Sequence, residues 1–467
     1  DKPRFWNVFH AEVEAIEQLE IPHFQVHSDQ THLIYNNCAI VQSYFEQSGA
    51  ESAKSRLSQL SPQDLNQQIQ WIRGSIYAHQ IQPNCQSQEI SHCSVCSFTS
   101  NQAMNEAIQI AQQFQQQAIY GSDGSMTWIG LTTLVEVQKF QLQPIDDSLF
   151  QGSCGIALFL GALAKITSDS TWQNLALSTI QPLCQRLNFT SKHPSSHWIH
   201  TTNAELGGYI YSLTRLSQFL DRPDLLEYAQ LASNHINPEL STFGLLNGLS
   251  GAILGLLALH KATHAPLPLH QALQCGEKLL ENYQIWSGVS GFAYGCSGVA
   301  YALLRLFLVS QDSRFFEMAK TILSAIALSD SDDRTWAQGT TGVGLGCVGS
   351  LGILDSSEIR HLIDTALLRI DEASTWWGVD QLENGNFGQL ELLLSAAEMT
   401  GKPLLELAQH HAARLIDRAK HRNGFYLCPH RSSQIFHPGF FQGLAGIGYT
   451  LLRLAHPERI PSVLLWN

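Results

Sequence analysis

Charge is the scarcest commodity in this sequence. Asp, Glu, Lys and Arg make up 14% of its 467 residues, against about 25% in an average soluble protein. The shortfall is one-sided: 27 basic residues face 40 acidic ones, for a formal net charge of −13. No basic patch with interleaved aromatics occurs, so nucleic acid and anionic membrane surfaces are disfavoured as partners. Long apolar runs are missing too. The most apolar stretch, FGLLNGLSGAILGLLAL (Phe243–Leu259), is broken by Asn247, Ser250 and four glycines, whereas a membrane span needs about 20 mostly apolar residues. The opening DKPRFWNVFHAEVE lacks the apolar segment and small-residue cleavage site of a secretory signal. Asp1 stands where a natural start would carry methionine, which fits a piece of a longer polypeptide. The ten cysteines are scattered, which suits reduced thiols in a cytoplasmic protein better than a disulfide framework.

Glycine, by contrast, is patterned. In RTWAQGTTGVGLG (Arg334–Gly346) the pair Gly339–Gly342 opens an apolar run, and the same G-x-x-G recurs. It stands at Gly152–Gly155, Gly248–Gly251, Gly295–Gly298, Gly385–Gly388 and Gly443–Gly446, with a weaker copy at Ala204–Gly207. The spacing is roughly 48 residues, a period typical of helical arrays. Each copy is followed by a segment that is apolar nearly all round, such as GVAYALLRLFL (Gly298–Leu308), which predicts a helix buried on both sides. Between copies lie amphipathic segments. In Ser313–Leu328, residues Phe315, Met318, Ala319, Ile322, Leu323 and Ile326 form one stripe at helical spacing.

A fully buried inner helix in every repeat implies closure, because an open solenoid leaves its terminal inner helices wet. The expected fold is all-α: a double-layered α/α toroid of seven helical hairpins. Asn101–Ile119 is the candidate seventh outer helix, packing beside the last inner one. The glycines then sit at the N-termini of inner helices, where the loops of all units converge on one mouth.

These strings resemble a known family. Residues 101–467 resemble the LanC-like cyclase domain of class II lanthipeptide synthetases (LanM type). The resemblance is carried by GSDGSMTWIGL (Gly121–Leu131), SLFQGSCGIALFLGALA, NPELSTFGLLNGLSGAILGLLALH, GFAYGCSGVAYALLRL and PGFFQGLAGIGYTLLRLAHPERIPSVLL. Residues 1–100 are similar to the C-terminal end of the family's dehydratase region plus a linker, through EVEAIEQLEIPHFQVHSDQTHL and LSQLSPQDLNQQIQWIRGSI. The implied partners are a precursor peptide and a dehydratase domain upstream, in the same or a partner polypeptide.

The resemblance also implies a zinc ion at the mouth, held by two cysteines and a histidine, that turns a peptide cysteine into a thiolate for addition to dehydroalanine or dehydrobutyrine. An open fourth position is the mark of a catalytic zinc site, and metal coordination deprotonates a thiol outright. Carried over position by position, the pattern W-C-x-G falls on Trp336-Ala337-Gln338-Gly339, so the first cysteine is Ala337. The pattern C-H-G falls on Glu383-Asn384-Gly385, so the second cysteine is Glu383 and the histidine Asn384. The acid/base histidine of H-G-x-x-G is Tyr294, and an aspartate expected before Gly248 is Gly244. No metal site and no cofactor are expected here.

Other groups are candidates to substitute for the missing ligands. Cys154 and Cys296 lie inside G-x-x-G loops, either as new ligands at the mouth or as small packing residues. Trp336 and Asp333 complete the expected substrate-binding mouth with Gly244 and these two cysteines. Cys85, His92, Cys93 and Cys96 cluster in a Ser/Gln-rich loop, which reads better as an insertion than as a four-ligand site. Asp332, Asp333, Asp380 and Glu383 would serve a toroidal glycosidase only as facing carboxylates, and otherwise cap helices. His200, His430 and His437 flank inner helices and none is singled out. The preferred expectation is a peptide-binding or scaffolding module without catalysis. The alternative is a metal-independent cyclase in which Glu383 or Tyr294 acts as a modest base.

Overall fold

The computed structural model describes residues 6–80, 98–134, 139–193, 202–239, 242–246, 248–289, 291–326, 333–371, 378–427 and 435–466. Cys85, His92, Cys93, Cys96, His200, Asp332 and His430 lie outside them. Two compact units result, Asp1–Ile69 and Gln70–Asn467. In the first, α1 (Trp6–Glu17) packs on a hairpin of β1 (Leu33–Tyr35) and β2 (Cys38–Val41). Asn36 and Asn37 make its turn at φ 47° and 62°, the left-handed pair that a two-residue hairpin requires. Helix α2 (Gly49–Ser58) starts on a Ser48/Glu51 capping box, and the division between units falls within α3 (Pro62–Gln80).

The second unit opens with α4 (Ser100–Gln117) and two hairpins, β3 (Ile119–Tyr120) with β4 (Met126–Thr127), and β5 (Ile129–Leu134) with β6 (Lys139–Pro144). Trp128, from the GSDGSMTWIGL string, is fully buried and donates its indole N–H to the Phe114 carbonyl at 2.8 Å, tying these hairpins to α4. Six helical pairs follow: α5 (Ser153–Thr167) with α6 (Ser170–Lys192), α7 (Asn203–Leu220) with α8 (Leu225–Ser233), and α9 (Leu249–Thr263) with α10 (Pro266–Glu281). After the short turn α11 (Tyr283–Trp286) come α12 (Cys296–Ser310) with α13 (Ser313–Ala325), α14 (Thr340–Ser350) with α15 (Ser357–Asp371), and α16 (Asn386–Thr400) with α17 (Leu404–Arg422). The last inner helix, α18 (Leu444–Ala455), takes α4 as its outer partner, as the helical pattern of Asn101–Ile119 leads one to expect.

The inner helices α5, α7, α9, α12, α14, α16 and α18 pack in that order, and α18 returns to α5. The ring is therefore closed, a double-layered α/α toroid of seven hairpins. Inner helices are buried on all sides, with Asn386 to Ala396 of α16 an unbroken buried run. Residues 461–466 lie along the axis and fill the bore. Tyr449 donates to the Pro461 carbonyl at 3.0 Å, Ser462 to Glu391 at 2.9 Å, and Tyr301 to the Leu465 carbonyl at 2.8 Å. The Trp466 ring lies 5.1 Å from that of Tyr211.

The glycine pairs have a steric cause. The first glycine caps each inner helix and the second occupies its third position, where the preceding loop folds back over the first turn. A methyl group on Gly342 would collide with the Trp336 carbonyl, and one on Gly388 with that of Leu382. The first amide of each such helix donates to a carbonyl seven residues upstream, as Thr340 does to Asp333 at 2.9 Å and Leu444 to His437 at 2.8 Å. The second repeat is different from the sequence expectation. Its cap is Thr202, not Ala204, and a capping box with Glu205 satisfies the amides that the folded-back loop serves elsewhere. Gly207 lies farther along α7, where that helix meets the backbone of Gly251.

Gly342→Ala should therefore lower stability by more than about 2 kcal/mol, read from urea midpoints. At Gly352 an added methyl would meet only the Met399 side chain, at 4.0 Å, so Gly352→Ala should stay within about 0.5 kcal/mol. Equal losses would contradict the crowding argument.

Candidate functional site at the mouth of the ring

The loops of neighbouring repeats are joined by one recurring device. Two residues before five of the six capping glycines stands a residue whose carbonyl accepts two successive amides from the preceding repeat. Leu245 and Leu246 donate to Ala293 (2.8 and 3.1 Å), Phe292 and Ala293 to Ala337 (both 3.1 Å), and Trp336 and Ala337 to Glu383 (2.9 and 3.3 Å). Leu382 and Glu383 donate to Phe441 (3.1 and 3.0 Å), and Phe440 and Phe441 to Phe150 (3.1 and 2.9 Å), which carries the chain of bonds from the last repeat into the first. Ala337 and Glu383 thus occupy the same position in adjacent repeats and are bonded to each other. The structure brings them together at the mouth, with Asn384 beside them.

Glu383 is 4% exposed. Gln442 donates to its Oε2 at 2.6 Å and the Tyr294 hydroxyl to its Oε1 at 3.4 Å. Burial raises the carboxyl above its ordinary value, while both hydrogen bonds pull it back. Burial, then the charge of Glu383, then the bond to it raise the Tyr294 phenol. Tyr294 therefore stays protonated at neutral pH and donates to Glu383. Beneath them Trp336 has no exposed surface; its ring lies 5.0 Å from Phe441 and 5.8 Å from Phe292, so it belongs to the floor rather than the surface of the mouth.

The profile described as lanthionine synthetase C-like protein matches residues 143–465. The chain belongs to the lanthionine synthetase C-like family. Among solved structures it is similar to a nisin cyclase, at 14% identity over 79% of this chain and 98% of that one, with a TM-score of 0.49. It is also similar to a GH76 α-mannanase of Bacteroides thetaiotaomicron, at 11% identity over 78% and 97%, with a TM-score of 0.37. No curated protein matches the chain.

The side chains at the LanC-like ligand positions do not fit a zinc ion. Ala337 offers a methyl group, Asn384 an exposed amide, and both oxygens of Glu383 already accept hydrogen bonds. Among the described residues, no group of three or more His, Cys, Asp and Glu side chains converges as metal ligands would. Cys154 has no exposed surface, and burial raises its thiol; it packs in the core and contributes nothing to the mouth. Cys296 is half-buried at the start of α12 and its thiol is likewise raised by burial. Gln338 is exposed beside the rim, and Gly244 is buried backbone.

The remaining carboxylates have structural work. Asp333 Oδ1 accepts from the Thr335 amide at 2.9 Å, shaping the turn before α14. Asp380 is fully buried, bound by Arg418, by the Asn386 amide group at 2.9 Å and by the Tyr426 backbone at 2.8 Å. It anchors the loop that carries Glu383 and is no partner for a facing carboxylate. His437 is buried and held down to about 4, hence neutral. The residue that sequence reasoning missed is Gln442; its place directly before the Gly443 cap, level with Tyr294, Gln338 and Asn384, is the signal that could have found it.

The titration of Glu383 gives a testable pH dependence. Below its ordinary value of 4.5 the carboxyl is protonated in folded and unfolded chains alike. As pH rises the unfolded carboxyl ionises first, so the wild type loses stability relative to Glu383→Gln until the pH passes the folded value. Urea unfolding of both proteins from about pH 4 to pH 8 should show that widening gap. A constant gap would contradict the burial argument.

Proposed function

We propose that this chain is the LanC-like part of a class II (LanM-type) lanthipeptide synthetase, working in the cytoplasm. It would hold the precursor peptide, or buttress the dehydratase to which residues 1–100 connect, without zinc-dependent ring closure. The partition into residues 1–100 and 101–467 belongs to this reading. The observation that carries it is the pair Ala337 and Glu383: adjacent, hydrogen-bonded through the backbone, and exposing no thiol where the resemblance implies two. The frame of a cyclase mouth is kept, and its ligand chemistry is replaced.

A second reading has one observation in its favour. Glu383 is a carboxyl raised by burial at the mouth, and a base of raised affinity could accept the proton of a peptide thiol as sulfur adds to the dehydroalanine β-carbon, with a proton then delivered to the α-carbon. Positioning alone can contribute several kcal/mol to such an addition. Against it, Gln442 and Tyr294 already occupy both oxygens.

Incubating the purified chain with a dehydrated, cysteine-containing peptide and counting free thiols by alkylation and mass spectrometry separates the readings. The proposal expects ring closure no faster than in buffer, and zinc well below one per chain by elemental analysis. Acceleration abolished by Glu383→Gln would establish the second reading; about one bound zinc per chain would overturn the first.

A further inference from the structure

The residue directly before each capping glycine follows a pattern of its own. It is Gln151, Asn247, Tyr294, Gln338, Asn384 and Gln442: five carboxamides and one phenol, with no group charged at neutral pH. Asn247 lies outside the described residues. The other five stand at the N-termini of α5, α12, α14, α16 and α18, each directly after a residue that takes part in the chain of backbone bonds. Tyr294 and Gln442 hold Glu383. Gln338 and Asn384 are exposed and Gln151 is half-buried, and among the described residues none of these three side chains is engaged. Below them Phe150, also half-buried, stacks on Phe441 at 5.3 Å and 18°, and Phe441 continues to Trp336. At two of these places, Tyr294 and Asn384, the resemblance implies histidine.

We infer that this crown of carboxamides is a site for polypeptide backbone, read without regard to side-chain sequence. The inference rests on the peptide-binding reading above and says how the peptide is held. A carboxamide presents two N–H donors and a carbonyl acceptor, the same groups that a peptide unit offers in reverse. Helix-to-helix packing at about 8–10 Å, set against a rise of about 3.3 Å per residue in a strand, lets carboxamides of neighbouring repeats pair with peptide units about three residues apart on a strand lying along the rim. They are neutral, so they impose no charge requirement. The half-buried Phe150 gives the strand an apolar contact beneath. An imidazole or thiolate at the same places would bind metal or move protons; amides bind and do neither. The mouth is thereby converted from a reacting surface to a holding one.

The probe is a fluorescein-labelled peptide of glycine, serine and threonine, with a shuffled-order version and a twin methylated on its backbone nitrogens. Anisotropy should show the wild-type chain binding the first two alike and the methylated twin roughly tenfold more weakly. The variant Q151A/Q338A/N384A alters only exposed or half-buried side chains, and circular dichroism confirms its fold. It should lose roughly tenfold or more in affinity for the unmethylated peptides. Undiminished binding by the folded variant, or a strong preference for one residue order, overturns the crown and leaves the peptide-binding reading in place. No binding of any probe by the wild-type chain overturns that reading, and the crown with it.

Discussion

The carbonyl that takes two amides from the neighbouring repeat is the constraint on which this molecule depends. Ten such bonds run from Leu245 to Phe150, each worth about 1 kcal/mol net in a protein. They are made entirely by backbone, so they do not themselves dictate the side chains at the positions that form them. What they do require is that each loop lie flat on the first turn of its own helix. That requirement falls on the glycines, because a methyl group at Gly342 or Gly388 would strike a carbonyl.

Separation of frame from chemistry follows directly. Replacing a glycine breaks the loop, whereas replacing the residue two before it leaves the backbone bonds available and changes the packing and chemistry at the mouth. Ala337, Glu383, Phe441, Phe150 and Ala293 all make the same backbone bonds with five different surroundings. Where the resemblance implies thiols, a methyl and a carboxylate therefore stand with the backbone bonds intact. The carboxylate itself is costly to bury, and the structure answers with donors from two other repeats, Tyr294 and Gln442. Asp380 receives similar treatment from Arg418, Asn386 and Tyr426, which fixes the loop from behind.

Much of this was legible in the sequence because the repeat is local. Glycine spacing, all-round apolar helices and the stripe of Phe315, Ala319, Ile322 and Leu323 gave the hairpins, and the spare helix that became α4 gave the closure. The meeting of Ala337 with Glu383 was legible too, since both precede a capping glycine by two residues. What escaped depends on contacts distant in sequence. The second repeat is an exception, since Thr202-x-x-Glu205 is a local capping-box pattern that reading the repeat as a glycine pair at Ala204 passes over. Cys154 reads as a loop residue, yet the second position of an inner helix already points into the core. The grip on Glu383 joins three repeats, Tyr294 reaching it across 89 residues of chain and Gln442 across 59. The filling of the bore by residues 461–466 likewise depends on partners such as Tyr301, 164 residues away from Leu465.

If the frame is kept by backbone alone, restoring the missing ligands should restore the metal. The triple variant A337C/E383C/N384H puts thiols and an imidazole on the positions to which the resemblance assigns them, without touching a glycine or a backbone bond. Elemental analysis after equilibration with zinc should find about one ion per chain in the variant, by the stoichiometry of a three-ligand site, and far less in the wild type. A folded variant that takes up no more zinc than the wild type would show that these positions do not share one opening, and would contradict the account.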